Sequence, residues 1–254
     1  MGVRTTFTPV AAQPMQSIHP QPSASRNKPA FTLVEMLVVV AIITILMTAG
    51  SIGLSSMAGR GVTSGVATAE SLFDEARTTA VGRNIRACVL VAKTLTNNPA
   101  DDLRRIVVAY EPVDTNGLPT TASGSNPAWV MSSRGAVLPD QTYFSSTLSK
   151  KDINSGGTLD VVTLTNAKTA YAGDYYIYEF NDQGICKTPG ASFIIGAGAR
   201  NASQSATAAP PRVTASAKHD FGGFVVWRNG RTSVFRSPEQ MGTSITSLTS
   251  GDKF

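Results

Sequence analysis

Histidine and cysteine are scarce in this chain, with only two of each among 254 residues. The histidines are His19 and His219, which excludes a metal site built from several histidines. Two cysteines are too few for a cysteine-rich zinc site, and no P-loop, dinucleotide-binding fingerprint or HExxH motif occurs. The neighbours His219 and Asp220 are more typical of a solvated loop than of a catalytic pair. The sequence therefore predicts neither an enzyme nor a bound cofactor or metal.

Acidic residues are absent before Glu35, whereas Arg4, Arg26 and Lys28 give the first 30 residues a charge of +3. Residues 1–30 are rich in Pro, Ser, Gln and Thr without apolar periodicity, which predicts a disordered leader. Without the leader, 22 − 3 = 19 basic and 17 acidic residues leave a net charge of +2. So small a net charge does not favour nucleic acid as a partner.

The longest apolar run covers residues 31–54, and Glu35 is its only charged residue. As a helix, these 54 − 31 + 1 = 24 residues would span about 36 Å, more than the roughly 30 Å of a bilayer's hydrocarbon core. A secretory signal peptide has a shorter apolar core. Because Arg26 and Lys28 favour a cytoplasmic N-terminal side, we expect a single transmembrane helix with residues 55–254 beyond the membrane.

Glu35 is the anomaly of this run, since a carboxylate within a membrane helix costs on the order of 2.5 to 3.5 kcal/mol. Two interpretations follow from the residues. Either Glu35 lies close enough to the end of the helix to reach the headgroups, or it awaits a positive charge from another subunit.

Ala30 and the following Phe31-Thr32-Leu33-Val34-Glu35, ahead of the apolar run, resemble the class III signal of type IV pilins and type II secretion pseudopilins. The resemblance implies that prepilin peptidase cuts between Ala30 and Phe31 and that the new amine of Phe31 is N-methylated. It also implies that Glu35 pairs with the N-terminal amine of a neighbouring subunit during assembly. The family usually has glycine before the cut, where this chain has Ala30.

The same resemblance implies a set of partners and a location. The partners are prepilin peptidase, other pilin or pseudopilin subunits, an assembly ATPase, a membrane platform protein and membrane lipid. The implied location is the inner membrane, crossed once, with a periplasmic or extracellular C-terminal domain that enters a filament on assembly.

Residues 72–90 and 138–144 resemble the GspH/FimT group of minor pseudopilins. In that group, a helix with an Ala-Arg-x-x-Ala core ends at a basic residue plus Asn, as at Arg83-Asn84, and a strand follows. A Leu-Pro pair also leads a later strand, as Leu138-Pro139 does here. This resemblance implies a structural subunit, a minor pseudopilin or minor pilin, of a type II secretion or type IV pilus-like filament.

Residues 55–84 continue the helical pattern as an amphipathic segment. Apolar residues recur at intervals of four and three, which predicts one buried helix face, at Val62, Val66, Ala69, Phe73, Ala76 and Ala80. No proline occurs between Phe31 and Asn98, so a single long helix is expected. Five glycines weaken it and indicate a bent junction, close helix packing or mere tolerance of poor helix formers, at Gly50, Gly53, Gly59, Gly61 and Gly65.

Residues 85–254 have the pattern of an antiparallel β domain, which makes the predicted fold class α+β, with a long N-terminal helix packed on a pilin-like β-sheet domain. Short strands are expected at 85–93, 105–111, 128–132, 142–145, 159–165, 175–180, 221–228 and 231–236. Asn229-Gly230 predicts a type I′ hairpin turn, and residues 180–185 predict another turn.

Two segments, 113–127 and 197–218, have the composition of loops. Pro210-Pro211 and the surrounding Ala, Ser and Thr residues indicate that the second loop is exposed and mobile. Asp101-Asp102 is interpreted as an exposed loop end rather than as a pair of cation ligands.

Cys88 and Cys186 leave two alternatives open. In an oxidising compartment they could form a disulfide, which would close a long loop and stabilise the fold by about 4 kcal/mol. Otherwise they are buried free thiols, which are common core residues.

The last hairpin carries an alternative function, that of a filament-tip binding module for DNA or surface adhesion. Arg228, Arg231 and Arg236 flank it, and Trp227 and Phe235 lie nearby in sequence. Arginine combined with aromatic residues suits single-stranded nucleic acid. The same residues more often form the surface and core of a hairpin.

Overall fold

The computed structural model describes residues 32–121, 128–165, 168–213, 220–235 and 254, without the side chains of 48–59. The predicted leader 1–30, Phe31, His219 and Arg236 lie outside the described residues. The chain divides into two compact units, with the boundary between Leu46 and Met47.

One α-helix, α1, runs from Leu33 to Arg83 and is not ended by its glycines. It stops at Asn84, whose φ of 55° is left-handed, and the N–H of Ile85 donates to the carbonyl oxygen of Ala80 over 3.2 Å. That bond is typical of a Schellman motif, in which Asn often takes the left-handed position. Within the described residues, no helix combines the length and the apolar character needed to span a membrane.

The strands of the described chain fall into two antiparallel sheets. In chain order they are β1 (Ala87–Leu95), β2 (Arg105–Tyr110), β3 (Val130–Met131), β4 (Ala136–Val137), β5 (Thr142–Phe144), β6 (Val161–Leu164), β7 (Gly173–Phe180), β8 (Ala191–Ala197), β9 (Phe221–Val226) and β10 (Thr232–Phe235). The first sheet has the order β3-β2-β1-β7-β6, with β4 also paired to β2. The second has the order β10-β9-β8-β5. The predicted class, α+β with a C-terminal antiparallel β domain, is therefore confirmed.

The buried helix face was predicted correctly. All six residues of the stripe are at most 6% exposed, namely Val62, Val66, Ala69, Phe73, Ala76 and Ala80. Phe73 lies at the centre, where its ring contacts Tyr178 and Phe180 of β7 as well as Phe193 of β8 and Phe224 of β9. The second half of α1 therefore shares one core with both sheets.

Glycine allows the helix and the second sheet to approach closely. A Cβ added to Gly65 would lie 2.7 Å from Cδ1 of Ile195, and one added to Gly222 would lie 3.0 Å from Cγ1 of Val62. Of the roles open to the helix glycines, the structure assigns close packing to Gly65, and the packing partner is β8 of the same chain.

The hairpin between β9 and β10 forms where Asn229-Gly230 predicted it, but the predicted turn type is wrong. Gly230 has a φ of 73°, whereas Asn229 is not among the described residues with positive φ. The N–H of Gly230 donates to the carbonyl oxygen of Trp227 over 2.8 Å. The N–H of Trp227 donates to the carbonyl oxygen of Arg231 over 2.9 Å. The loop is thus a type I turn followed by a left-handed glycine, which needs positive φ at one position instead of two.

The interpretation of Asp101-Asp102 as an exposed loop end is also wrong. The Asp102 carboxylate is fully buried and accepts hydrogen bonds from the N–H of Leu95 over 2.7 Å and of Ala206 over 2.8 Å. The equally buried Arg200 guanidinium lies 3.9 Å away. Burial raises the pKa of the Asp102 carboxyl. Because Arg200 and Ala206 belong to the segment 197–218, these contacts hold part of the loop that was predicted to be exposed and mobile.

Candidate assembly site at the start of the helix

The first turn of α1 is capped by Thr32. Its Oγ1 accepts a hydrogen bond from the N–H of Glu35 over 3.2 Å, and its carbonyl oxygen accepts one from the N–H of Met36 over 3.2 Å. A threonine followed three residues later by glutamate is the spacing of a capping box. The same spacing in the sequence, Thr32 followed by Glu35, would have identified Thr32 as the N-cap.

Glu35 is the acidic residue of the first helical turn and is exposed. A carboxylate at this position is favoured by the partial positive charge of the helix N-terminus, worth about 0.3–1 kcal/mol at an exposed site. Its carboxylate makes no ion pair with any residue that the structure describes. The residue thus presents an exposed carboxylate on the first turn of the helix.

The side chains that follow Glu35 form an apolar surface. Exposure ranges from 44% at Val39 to 82% at Leu33 among the large apolar residues, which are Leu33, Val34, Met36, Leu37, Val38, Val39, Val40, Ile42, Ile43, Ile45, Leu46 and Met47. A contiguous apolar surface of this kind is typical of a membrane or protein interaction site. Ala30 and Phe31, the predicted cleavage and methylation positions, precede the described residues.

The two cysteines are buried free thiols in the structure. Cys88 belongs to the cluster that contains Leu90 and Val107, whereas Cys186 belongs to the cluster that contains Phe73. The two thiols thus lie in different hydrophobic clusters of the described chain, and the disulfide between them stays a prediction. Burial raises the pKa of both thiols, which disfavours the reactive thiolate.

Arg228 and Arg231, the described residues of the proposed DNA contact, are exposed at the β9–β10 turn. Trp227 is 45% exposed, and its indole N–H donates to Oγ of Ser233 over 2.7 Å. Arg236 lies outside the described residues. The geometry is that of an ordinary hairpin surface and does not favour nucleic-acid binding over it.

Metal ligands are not gathered in the described part of the chain, where no group of three or more His, Cys, Asp or Glu side chains could hold an ion. The carboxylate of Asp101 is instead bound by the guanidinium of Arg105. Both Asp101 and Asp102 therefore have structural partners.

The described chain thus combines a capped helix, an exposed apolar surface on its first half and an antiparallel β domain. Residues 25–51 match the family model of the prokaryotic N-terminal methylation motif. The chain thus carries the N-terminal motif of type IV pilin-like proteins, and the resemblance drawn from Ala30 to Glu35 is confirmed. Such a motif implies prepilin peptidase and other pilin subunits as partners. No curated protein and no solved structure matches the chain.

Proposed function

We propose that this chain is a minor pseudopilin or minor pilin of the GspH/FimT type. It serves as a structural subunit of a type II secretion or type IV pilus-like filament. The observation that carries the proposal is the methylation motif at residues 25–51, which includes the exposed apolar start of helix α1.

Processing creates the assembly-competent N-terminus. Prepilin peptidase cuts between Ala30 and Phe31 on the cytoplasmic side, and the new amine of Phe31 is methylated. Residues 31–54 then hold the subunit in the inner membrane, while the β domain lies on the periplasmic side. The assembly ATPase and the platform protein act on this membrane-held form.

Glu35 selects the neighbouring subunit. Its carboxylate is exposed, lies on the first helical turn and makes no ion pair with any described residue, which supports a partner in trans. In apolar surroundings an unpaired carboxylate is costly. The Phe31 amine of the next subunit neutralises that charge and thereby sets the register between adjacent helices.

Membership of the GspH/FimT group is supported by how the resembling segments pack. Leu138 is 1% exposed, and a Cβ added to Gly65 of α1 would lie 3.5 Å from Cδ of Pro139. The Leu-Pro pair that leads β5 therefore lies against the helix that carries the Ala-Arg-x-x-Ala segment. Arg83-Asn84 ends that helix and is followed by β1.

The processing step is tested by mass spectrometry of the protein purified from cells that contain prepilin peptidase. We expect a mature chain that begins at N-methylated Phe31. Ala30→Leu should leave the precursor uncut, because a large side chain replaces the small residue before the cut, whereas Ala30→Gly should be cut normally. A mature protein that retains Met1 or Gly2 would contradict the proposal.

The assembly step is tested by Glu35→Gln, which removes the charge and keeps the size of the side chain. We expect normal cleavage and membrane insertion but loss of the subunit from sheared filaments. Asp74→Asn, an exposed carboxylate on the same helix, is the matched control and should assemble normally. Wild-type incorporation of Glu35→Gln would refute the pairing with the Phe31 amine.

A further inference from the structure

A cavity of about 570 Å³ opens on the first sheet of the β domain. Its volume falls within the roughly 300–1,000 Å³ of small-molecule sites. The apolar part of its wall comes from Trp129, Val130 and Met131 at β3 and from Tyr171.

Secondary structure fixes these walls. Val130 is in register with Tyr110, and Met131 with Ala109, so β3 is held on the edge of β2. Tyr171 ends a short 3₁₀ turn, and the guanidinium of Arg105 lies 5.0 Å from the centre of its ring. Apolar walls of this kind bind an apolar or aromatic body.

The polar part of the wall is cationic. Arg134 and Lys168 line the cavity together with Ser133, and no Asp or Glu is among the described residues that line it. Neither cation forms an ion pair with any residue that the structure describes. The cavity therefore has two available positive charges and no described carboxylate to neutralise them.

Two further observations support a built site. Trp129 is only 6% exposed, and its indole nitrogen is buried without a hydrogen-bond partner among the described residues. Buried donors of this kind are usually satisfied by a hydrogen bond. Gly135 also fixes the turn that carries Arg134, because its φ is 66° and an added Cβ would collide with the backbone of β2.

We propose that this cavity binds a small organic anion, with an aromatic or apolar body and one carboxylate or phosphate group. The body packs on Trp129, Met131 and Tyr171. The anionic group is held by Arg134 and Lys168. The proposal is independent of the role of Glu35, since none of these residues belongs to the helix start.

The experiment uses the full-length chain with 5-fluorotryptophan incorporated, in non-ionic detergent, observed by ¹⁹F NMR. The chain has two tryptophans, so Trp129 reports on the cavity while Trp227, at the β9–β10 turn, is an internal control. Resonances are assigned with Trp227→Phe. The probes are 4-phenylbutyrate and phenyl phosphate, and the neutral control is 4-phenylbutyramide.

We expect either anion to shift the Trp129 resonance saturably and to leave that of Trp227 unchanged. The double variant Arg134→Gln/Lys168→Gln should weaken anion binding at least about tenfold, because both charged donors to the anionic group are lost. Binding of the amide should be unaffected. The better of the two anions identifies the head group.

The matched control is Arg228→Gln/Arg231→Gln, which removes the same charge from the exposed turn and should change affinity less than twofold. Thermal unfolding checks that both double variants are folded, and the single variants Arg134→Gln and Lys168→Gln replace any double variant that is not. The proposal is overturned if neither anion shifts Trp129 saturably. It is equally overturned if the amide binds as tightly as 4-phenylbutyrate, or if the control double variant loses as much affinity.

Discussion

Phe73 stands edge-on to Phe224, with ring centroids 4.9 Å apart and ring planes at 85°. One residue comes from α1 and the other from β9, so this contact joins the helix to the second sheet. Phe73 also contacts Tyr178 of the first sheet, at a centroid distance of 5.0 Å. The side chain of Phe73 thus packs against both sheets of the β domain.

Replacement of Phe73 should be among the most destabilising changes in the domain. Phe73→Ala removes a fully buried ring from between two sheets and should lower the free energy of unfolding by about 3–5 kcal/mol. Chemical denaturation measures the loss. The control Val81→Ala, on the same helix and 53% exposed, should change stability by less than about 0.5 kcal/mol. Equal effects of the two variants would contradict the described core.

Gly230→Ala should destabilise the fold through two separate effects. The φ of 73° is left-handed, which costs an L-residue about 1–2 kcal/mol. A Cβ would also lie 2.5 Å from the carbonyl oxygen of Gly184. Gly117→Ala is the matched control, because φ there is 78° and no atom lies within 4 Å of the added Cβ. Chemical denaturation should show a larger loss of stability for Gly230→Ala than for Gly117→Ala. Similar losses would mean that only the backbone strain matters and that the contact with Gly184 does not.

Acid should weaken the fold through Glu111. Arg86 donates two hydrogen bonds to this carboxylate, at 2.9 and 2.7 Å, and thereby lowers its pKa below the ordinary value of 4.5. Since the folded-state pKa is the lower one, the stabilisation is present above pH 4.5 and is lost as the pH falls through the folded-state value.

Glu111→Gln should therefore flatten the decline of stability below pH 4.5 in a pH series of denaturation curves. At neutral pH the variant should lose about 1–3 kcal/mol. Asp182→Asn, which replaces an exposed carboxylate in a turn, serves as the control. Its stability should decline at acidic pH as that of the wild type does. If stability of Glu111→Gln declined at acidic pH as much as that of the wild type, the Arg86–Glu111 contact would not be the cause of the decline.

Both cysteines should resist modification in the folded protein. Cys88 and Cys186 are 0% and 2% exposed, and burial raises their pKa values. A thiol reagent should label neither in buffer and both in denaturant without reductant, as counted by mass spectrometry. Labelling that requires reductant would instead reveal a disulfide between them. Cys88→Ser and Cys186→Ser, each leaving one thiol, assign the labelled positions.

Several elements could be predicted because their pattern is local. The helix stripe from Val62 to Ala80 repeats every three or four residues, and the turn at Gly230 has a two-residue signature. Strand β8 was not predicted, because its seven buried residues show no apolar–polar alternation and, unlike the equally buried β9, it is not followed by an Asn-Gly turn. A strand covered on both faces carries no periodic signal that separates it from a short buried segment.

Of the two candidate sites, only the one at the start of the helix follows a local sequence pattern. Ala30, Phe31 and Glu35 form a motif that can be read residue by residue, and Thr32 completes it by its spacing to Glu35. The cavity at Trp129 could not be predicted, because Arg134 and Lys168 meet there only through strand pairing and a distant 3₁₀ turn.

The sequence by itself determined the N-terminal motif, the apolar run behind it and the helix face that is buried, since each depends on residues a few positions apart. The tertiary structure decided what Asp102 does. Its carboxylate accepts a hydrogen bond from the N–H of Ala206, 104 residues away, and lies beside Arg200. A buried carboxylate is stable only where donors surround it, and which donors arrive depends on how the whole chain packs.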